Sequence, residues 1–148
     1  MRTPRRRSRE FVLQALYQLI LNPEYLAQEL LRNIKETDAF LNALQDKKPK
    51  VDENFFDTLF LGIYPMIDTY EIELTPYLDR SWDGVNAVEK AILLIACHEL
   101  KTLPETPFPV IINESIELAK GYAKEDSYKF INGVLDRLSV VLRHHDNP

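Results

Sequence analysis

The sequence predicts an all-α protein, on three observations. Apolar residues recur at i, i+3, i+4 and i+7 in nearly every segment long enough to test. Prolines and helix-capping residues divide those segments into lengths typical of globular helices. Alternation of apolar and polar residues is not sustained anywhere, and only Val110-Ile111-Ile112 offers a strand-like run. The Asn113-Glu114-Ser115 that follows, and the helical spacing beyond it, assign that run to a helix. With 148 residues, 45% hydrophobic and 28% charged, the composition suits one ordinary soluble globular domain.

The elements follow in order. Val12, Ala15, Leu16, Leu19 and Ile20 form one stripe of a first helix, ended by Asn22-Pro23. Tyr25 to Leu44 reads as a second helical region carrying Leu26, Leu30, Leu31, Ile34, Leu41 and Leu44, bent or broken near Thr37-Asp38. Residues 45–50, polar and with Pro49, are the clearest loop. Asp52 caps a third helix whose Phe55, Phe56, Leu59, Phe60 and Ile63 make a dense aromatic stripe. Pro65 predicts a kink or stop near Tyr64. Residues 74–78 form one short helical turn around Pro76. Ser81 or Asp83 then caps a helix burying Val85, Val88, Ala91, Ile92, Ile95 and Ala96 and ending near Leu100. Residues 103–109 contain three prolines and read as a loop. Val110, Glu114 and Leu118 begin the next helix, which stops near Gly121. Asp126 or Ser127 caps the last, with Phe130, Ile131, Val134, Leu135, Leu138 and Leu142 inward.

Several chemistries are excluded. Gly62, Gly84, Gly121 and Gly133 are isolated, so no phosphate-cradling loop exists. His98-Glu99 lacks a second histidine four residues on, and no metal site is expected. His98 falls in the last turn of a helix, where the dipole favours a cation. His144-His145 lie in a polar tail, residues 144–148, that is expected to fray. Cys97, the single cysteine, follows Ile95-Ala96 and reads as a small buried hydrophobe; one cysteine makes no intramolecular disulfide, and a reducing compartment follows. Nothing assembles a nucleophile, a base and an oxyanion stabiliser, so no catalytic residue, cofactor or enzyme activity is expected. No apolar run approaches the ~18–20 residues of a membrane span.

Charge is unevenly placed. The net charge is −5, yet residues 1–9 hold Arg2, Arg5, Arg6, Arg7 and Arg9 with no acid. The rest of the chain holds 13 basic residues against 23 acids, a net charge of −10. Residues 1–9 read as a flexible basic arm, an interaction tail on an acidic body. The start also shares its arginines and amphipathic run with mitochondrial presequences; a cytoplasmic protein is the expectation. Arginine presents bidentate donors to phosphate and a flat face to bases, which suits RNA. The bland alternative is a solubilising tail. A second constellation runs from Glu125-Asp126-Ser127-Tyr128-Lys129-Phe130 to Asn132-Gly133 and Asp136. There Lys129 and Phe130, near a helix N-terminus, suit a phosphate and a stacked base. Periodicity alone favours Phe130 as core.

These residues resemble the NusB family of bacterial transcription antitermination factors. Arg5-Arg6-Arg7-Ser8-Arg9-Glu10 followed by Leu13-Gln14-Ala15-Leu16-Tyr17-Gln18 looks like its start. Val88-Glu89-Lys90-Ala91-Ile92-Leu93 and His98-Glu99-Leu100 match its middle helix. Val110-Ile111-Ile112-Asn113-Glu114, Glu117-Leu118-Ala119-Lys120 and the run from Glu125 to Asp136 match its C-terminal signature. The resemblance spans Arg5 to about Leu142 and is weak between about Tyr25 and Asp79, where the family varies.

The resemblance implies two packed small helical bundles of about seven helices, residues 10–80 and 81–143. It implies binding to the boxA RNA of ribosomal-RNA leader transcripts together with the small-subunit ribosomal protein NusE, within an RNA polymerase antitermination complex. Carried over by position, Arg5, Arg6, Arg7, Arg9, Gln14, Asp126, Lys129 and Phe130 face the RNA; Tyr17, Asp83 and Glu89 face the protein partner. Phe108 and Ile111-Ile112 are more apolar than the family pattern, which leaves a self-association surface, and so a homodimer, open. Two other readings stand beside this one. One is a protein-interaction helical module without direct RNA binding. The other is an RNA-recognition module related to that of RNA cytosine methyltransferases, although no glycine-rich cofactor sequence accompanies it.

Overall fold

A computed structural model describes residues 3–143 and contains, among them, eight α-helices and no strand. The chain divides into two compact units, residues 1–65 and 66–148. His144-His145, the expected frayed tail and Arg2 lie outside the described residues.

The first unit holds α1 (Pro4–Leu21), α2 (Ala27–Lys35), α3 (Asp38–Gln45) and α4 (Glu53–Ile63). Thr37 accepts a hydrogen bond from the Phe40 amide and Asp52 one from the Phe55 amide, so the expected break and the expected cap both exist. α1 packs on α2 and α4. Its core is an aromatic cluster from three helices: Phe11–Phe40 at 4.9 Å, Phe40–Phe56 at 5.3 Å and Phe11–Phe56 at 6.5 Å between ring centroids. Val12, Leu16, Leu30, Ile34 and Ile63 close around it, all without solvent access.

The second unit holds α5 (Ile67–Leu74), a 3₁₀ turn at Thr75–Tyr77, another at Trp82–Gly84, then α6 (Ala87–Thr102), α7 (Phe108–Tyr122) and α8 (Ser127–Leu142). α6 is buried on every side from Ala91 to Leu100, beyond the one face expected from sequence, because Leu93 and Leu94 are covered as well. α5, α7 and α8 pack against it. Residues 66–80 thus fold with the C-terminal unit, and the division falls at Pro65/Met66 instead of at 80/81. The ties are specific: the Tyr70 hydroxyl lies 2.7 Å from His98 Nδ1, and Arg137 donates to the Tyr77 carbonyl.

Three other expectations are corrected here. α5 was hidden by Pro65, which does end α4 but only as a 3₁₀ turn at Tyr64–Met66 before the chain turns helical again. Neither Ser81 nor Asp83 caps α6; Asn86 does, accepting from the Glu89 amide at 2.9 Å while Glu89 accepts from the Asn86 amide at 3.3 Å. Ile111 and Ile112 are buried within the unit and so drop out of the self-association surface left open above, whereas Phe108 is half-buried and Val110 exposed.

The end of α6 is closed by one side chain from the far end of the chain. Arg143, 1% exposed, donates from Nε to the Leu100 carbonyl at 2.7 Å, from Nη1 to Thr106 at 3.0 Å and from Nη2 to Leu103 at 2.8 Å. A helix C-terminus leaves carbonyls unpaired, and a cation there also meets the negative end of the dipole. Arg143→Ala strands the buried Leu100 carbonyl and removes a donor from Thr106 and Leu103, the last keeping the Thr106 amide. It should cost about 2–4 kcal/mol, read as a melting temperature lower by roughly 5–15 °C. Arg143→Lys should recover only part of the loss, because one ammonium does not span three carbonyls.

Candidate nucleic-acid interface

The arginine segment is helical, not a flexible arm. Thr3 caps α1, its Oγ1 accepting from the Arg6 amide at 3.1 Å, and Pro4 occupies the first turn, where a missing N–H costs nothing. Ser8, fully buried, ties this turn to the chain entering α4: its hydroxyl donates to the Asp52 carbonyl at 2.7 Å and accepts from the Asp52 amide at 3.0 Å. The guanidinium of Arg5 lies 4.5 Å and that of Arg9 5.1 Å from the Phe55 ring centroid. Arg7 stacks 4.2 Å over Phe11 and pairs with Glu10 at 2.8 Å. Sequence reading missed this support because helical period alone does not show which aromatic ring meets which arginine.

These arginines differ in what they offer a ligand. The Arg5 side chain is 56% exposed and reaches Asp52 only at 4.0 Å. Arg6 and Arg7 are partly exposed, while Arg9 is 6% exposed and serves mainly to pack. The first turn of α1 has no acidic residue, so its cations stand at the positive end of the helix dipole. That arrangement opposes folding locally and concentrates positive potential, which is the use a polyanion would have for it. Gln14 and Tyr17, three residues apart on α1, are both exposed.

In the second unit Asp126 precedes α8 without capping it through its side chain, and lies 3.7 Å from Lys129; both are well exposed. Phe130 is neither core nor bare platform. It is half-buried, and Arg80 lies over its ring at 4.2 Å. Arg80 is itself oriented by Asp79, whose carboxylate accepts from Nε at 2.7 Å. That pairing holds the Asp79 carboxyl below the usual carboxylate range. Lys120 and Lys129 flank the Tyr128 ring at 5.1 and 6.0 Å. Arg80, Tyr128 and Lys120 are therefore additions to the residues expected from sequence. Arg80 lies 50 positions from Phe130, so no local pattern linked them.

Of the residues expected at a protein contact, Tyr17 is 39% exposed and Asp83 is exposed on its 3₁₀ turn. Glu89 is 2% exposed and spends its carboxylate on the start of α6. It is no free surface charge, because the capping box draws it inward.

No catalytic chemistry gathers around Cys97 or His98. Cys97 has no solvent access, and burial pushes its thiol up to about 12. His98 is buried beside the Tyr70 hydroxyl, and desolvation, aided by Lys101, holds its imidazole below the usual 6.5. It is a neutral hydrogen-bonding core residue, not the helix-end cation expected from its position. Among the described residues no group of three or more His, Cys, Asp or Glu is placed to hold a metal, and no helix is long and apolar enough to cross a membrane.

These features define a helical protein whose distinctive surfaces are cations backed by aromatic rings. The NusB family model matches residues 6–139. The transcription antitermination protein NusB of Neisseria meningitidis serogroup B is 44% identical over 143 residues, 97% of this chain and 95% of the relative. Its counterpart from Alcanivorax borkumensis is 43% identical over 140 residues, 95% and 87% of the two chains. In structure, T. maritima NusB superposes with a TM-score of 0.77 at 31% identity, over 94% of this chain and 92% of that one. The NusB of a complex with NusE and double-stranded RNA has the same fold, at TM-score 0.77 and 23% identity over 93% and 96%. The chain belongs to the NusB family.

Two outcomes are expected from the geometry. Ser8→Ala leaves the Asp52 amide unpaired beneath α1, while the Asp52 carbonyl keeps the Phe56 amide at 3.0 Å, and should destabilise the chain by about 1–3 kcal/mol in thermal or urea melts. For His98, the unfolded chain binds a proton near pH 6.5 while the folded chain resists it, so stability contributed above that pH is lost as pH falls through it. Melting temperatures between pH 7.5 and 5 should therefore decline more steeply for the parent than for His98→Gln.

Proposed function

We propose that this chain is an RNA-binding transcription antitermination factor. It binds boxA RNA of ribosomal-RNA leader transcripts together with the ribosomal protein NusE, and so promotes read-through by RNA polymerase. The observation that carries the reading is the arginine-bearing first turns of α1, held rigid by Ser8 and Phe55 at the positive end of a helix. Family membership supports it, since the matched relatives bear the name of transcription antitermination proteins. Arg5, Arg6 and Arg7 contact phosphates, Arg9 braces Phe55, and Gln14 adds a polar contact. In the second unit Lys129, Asp126 and the Arg80-covered Phe130 hold a further stretch of RNA.

The acidic remainder of the chain suits a basic ribosomal protein and discourages non-specific nucleic-acid binding. Tyr17 and Asp83 are the exposed residues for that protein contact; Glu89 acts by shaping the start of α6. The factor works by binding alone, without a cofactor or a catalysed step. It acts in the cytoplasm, where a single buried cysteine stays reduced.

The test is a filter-binding titration of boxA RNA and a scrambled RNA of equal composition, with and without NusE, at several salt concentrations. The reading expects preference for boxA and tighter binding with NusE present. Arg5→Ala with Arg6→Ala should lower the slope of log K against log salt by about 1.4, at roughly 0.7 per single-strand phosphate. Equal binding of both RNAs, or an unchanged slope, contradicts it. Tyr17→Ala should weaken capture of NusE while leaving RNA binding by the isolated chain unchanged.

A further inference from the structure

The loop between α3 and α4 adds a second set of cations to the first unit. Residues Lys47, Lys48 and Lys50 project from it, all exposed. The loop is held at several points. The Lys50 amide donates to the Ala43 carbonyl at 2.9 Å, the Lys48 amide to Asp46 Oδ1 at 3.3 Å, and Val51 is buried. Between this loop and the start of α1 lies an open groove of about 1050 Å³, walled by Pro4 and Arg7 on one side and by Asn42 and Lys47–Lys50 on the other. Four cations line it against one carboxylate, Asp46, which Lys50 meets at 3.3 Å. Lys47 and Lys48 have no carboxylate within 4.0 Å among the described residues. Arg7 is paired with Glu10 and Lys50 with Asp46, so Lys47 and Lys48 leave the concavity net positive in a chain of net charge −5.

We propose that this groove is a sugar-phosphate subsite that extends the bound RNA strand past the arginines of α1. The inference rests on the RNA-binding reading above and adds residues 47–50 to it. Charge selects an anionic occupant. Continuity selects a strand over an isolated anion, because Arg7 of the arginine-bearing first turns of α1 lies in the groove wall. Arg5, two residues earlier, stacks on Phe55 on another face of the helix, so the strand passes around the start of α1 to reach both. Lysine suits the role: three flexible, exposed cations, of which Lys50 exchanges Asp46 for phosphate, bind the backbone without reading bases. The subsite therefore contributes affinity, not sequence preference.

The experiment compares three RNAs over a range of salt: boxA alone, boxA extended at its 5′ end and boxA extended at its 3′ end, each extension being six nucleotides of mixed sequence. The proteins are the parent and Lys47→Ala/Lys48→Ala/Lys50→Ala, matched for melting temperature. The parent should bind one extended RNA more tightly, with a slope steeper by about 2 for three added phosphate contacts. The triple variant should lose that gain, about tenfold or more in affinity at 0.1 M salt, and bind unextended boxA as the parent does. Equal slopes for parent and variant on both extended RNAs overturn the groove while leaving RNA binding by α1 intact. A parent that binds none of the three RNAs overturns the RNA-binding reading and this subsite with it. Anionic phosphatidylserine vesicles serve as a control; lysine-dependent binding to them without any lysine effect on RNA also overturns the proposal.

Discussion

The tie between Ser8 and Asp52 is the constraint on which the functional surface depends. One buried hydroxyl pairs the backbone amide of a residue 44 positions away and adds a second donor to its carbonyl, which also accepts from the Phe56 amide, and so joins the second turn of α1 to the cap of α4. The same Asp52 caps α4 through its carboxylate, and the ring of Phe55 one turn on supports Arg5 and Arg9. A basic segment that would repel itself in isolation thereby becomes a rigid helix. An anion meeting it does not bear the entropy of ordering the segment, which is the advantage of preorganisation.

The second unit shows the same logic at a distance. α6 is buried on every side from Ala91 to Leu100, and Arg143 supplies donors to the carbonyls at its end from the opposite end of the unit's sequence. Its two aromatic positions near the start of α8 are likewise fitted with cations from elsewhere, Arg80 over Phe130 and Lys120 over Tyr128. Cations stacked on rings lose less by desolvation than bare ones and keep their outer edge for a ligand.

Most of the fold was legible because helical period, proline and short-range caps are local signals. Asp52, Thr37 and the stripe through Phe55, Phe56 and Phe60 are of that kind. What was missed depends on contacts between distant residues. Pro65 concealed α5, since its buried face is sparse, Tyr70 and Leu74, and gains meaning only against α6. His98 looked like a helix-end cation until its burial beside Tyr70 made it neutral. The site was legible as a set of residue types, not as a structure: composition identified the arginines, but charge alone suggests a disordered tail. Ser8, an inconspicuous residue in that run, and the ring of Phe55 join the Thr3 cap in holding it as a helix. Glu89 failed in the opposite direction, a charge expected outside and found folded into a capping box.

The central claim, that the arginine surface is formed before RNA arrives, is tested most directly by amide hydrogen exchange at residues 7–11. The Arg7 amide already donates to the Thr3 carbonyl at 3.0 Å, so these amides belong to a closed helical turn in the free chain. The account predicts slow exchange there without RNA, at rates close to those elsewhere in α1, and little further slowing when boxA RNA is added. Fast exchange in the free protein that becomes slow only with RNA would contradict it, since the segment would then fold on its ligand.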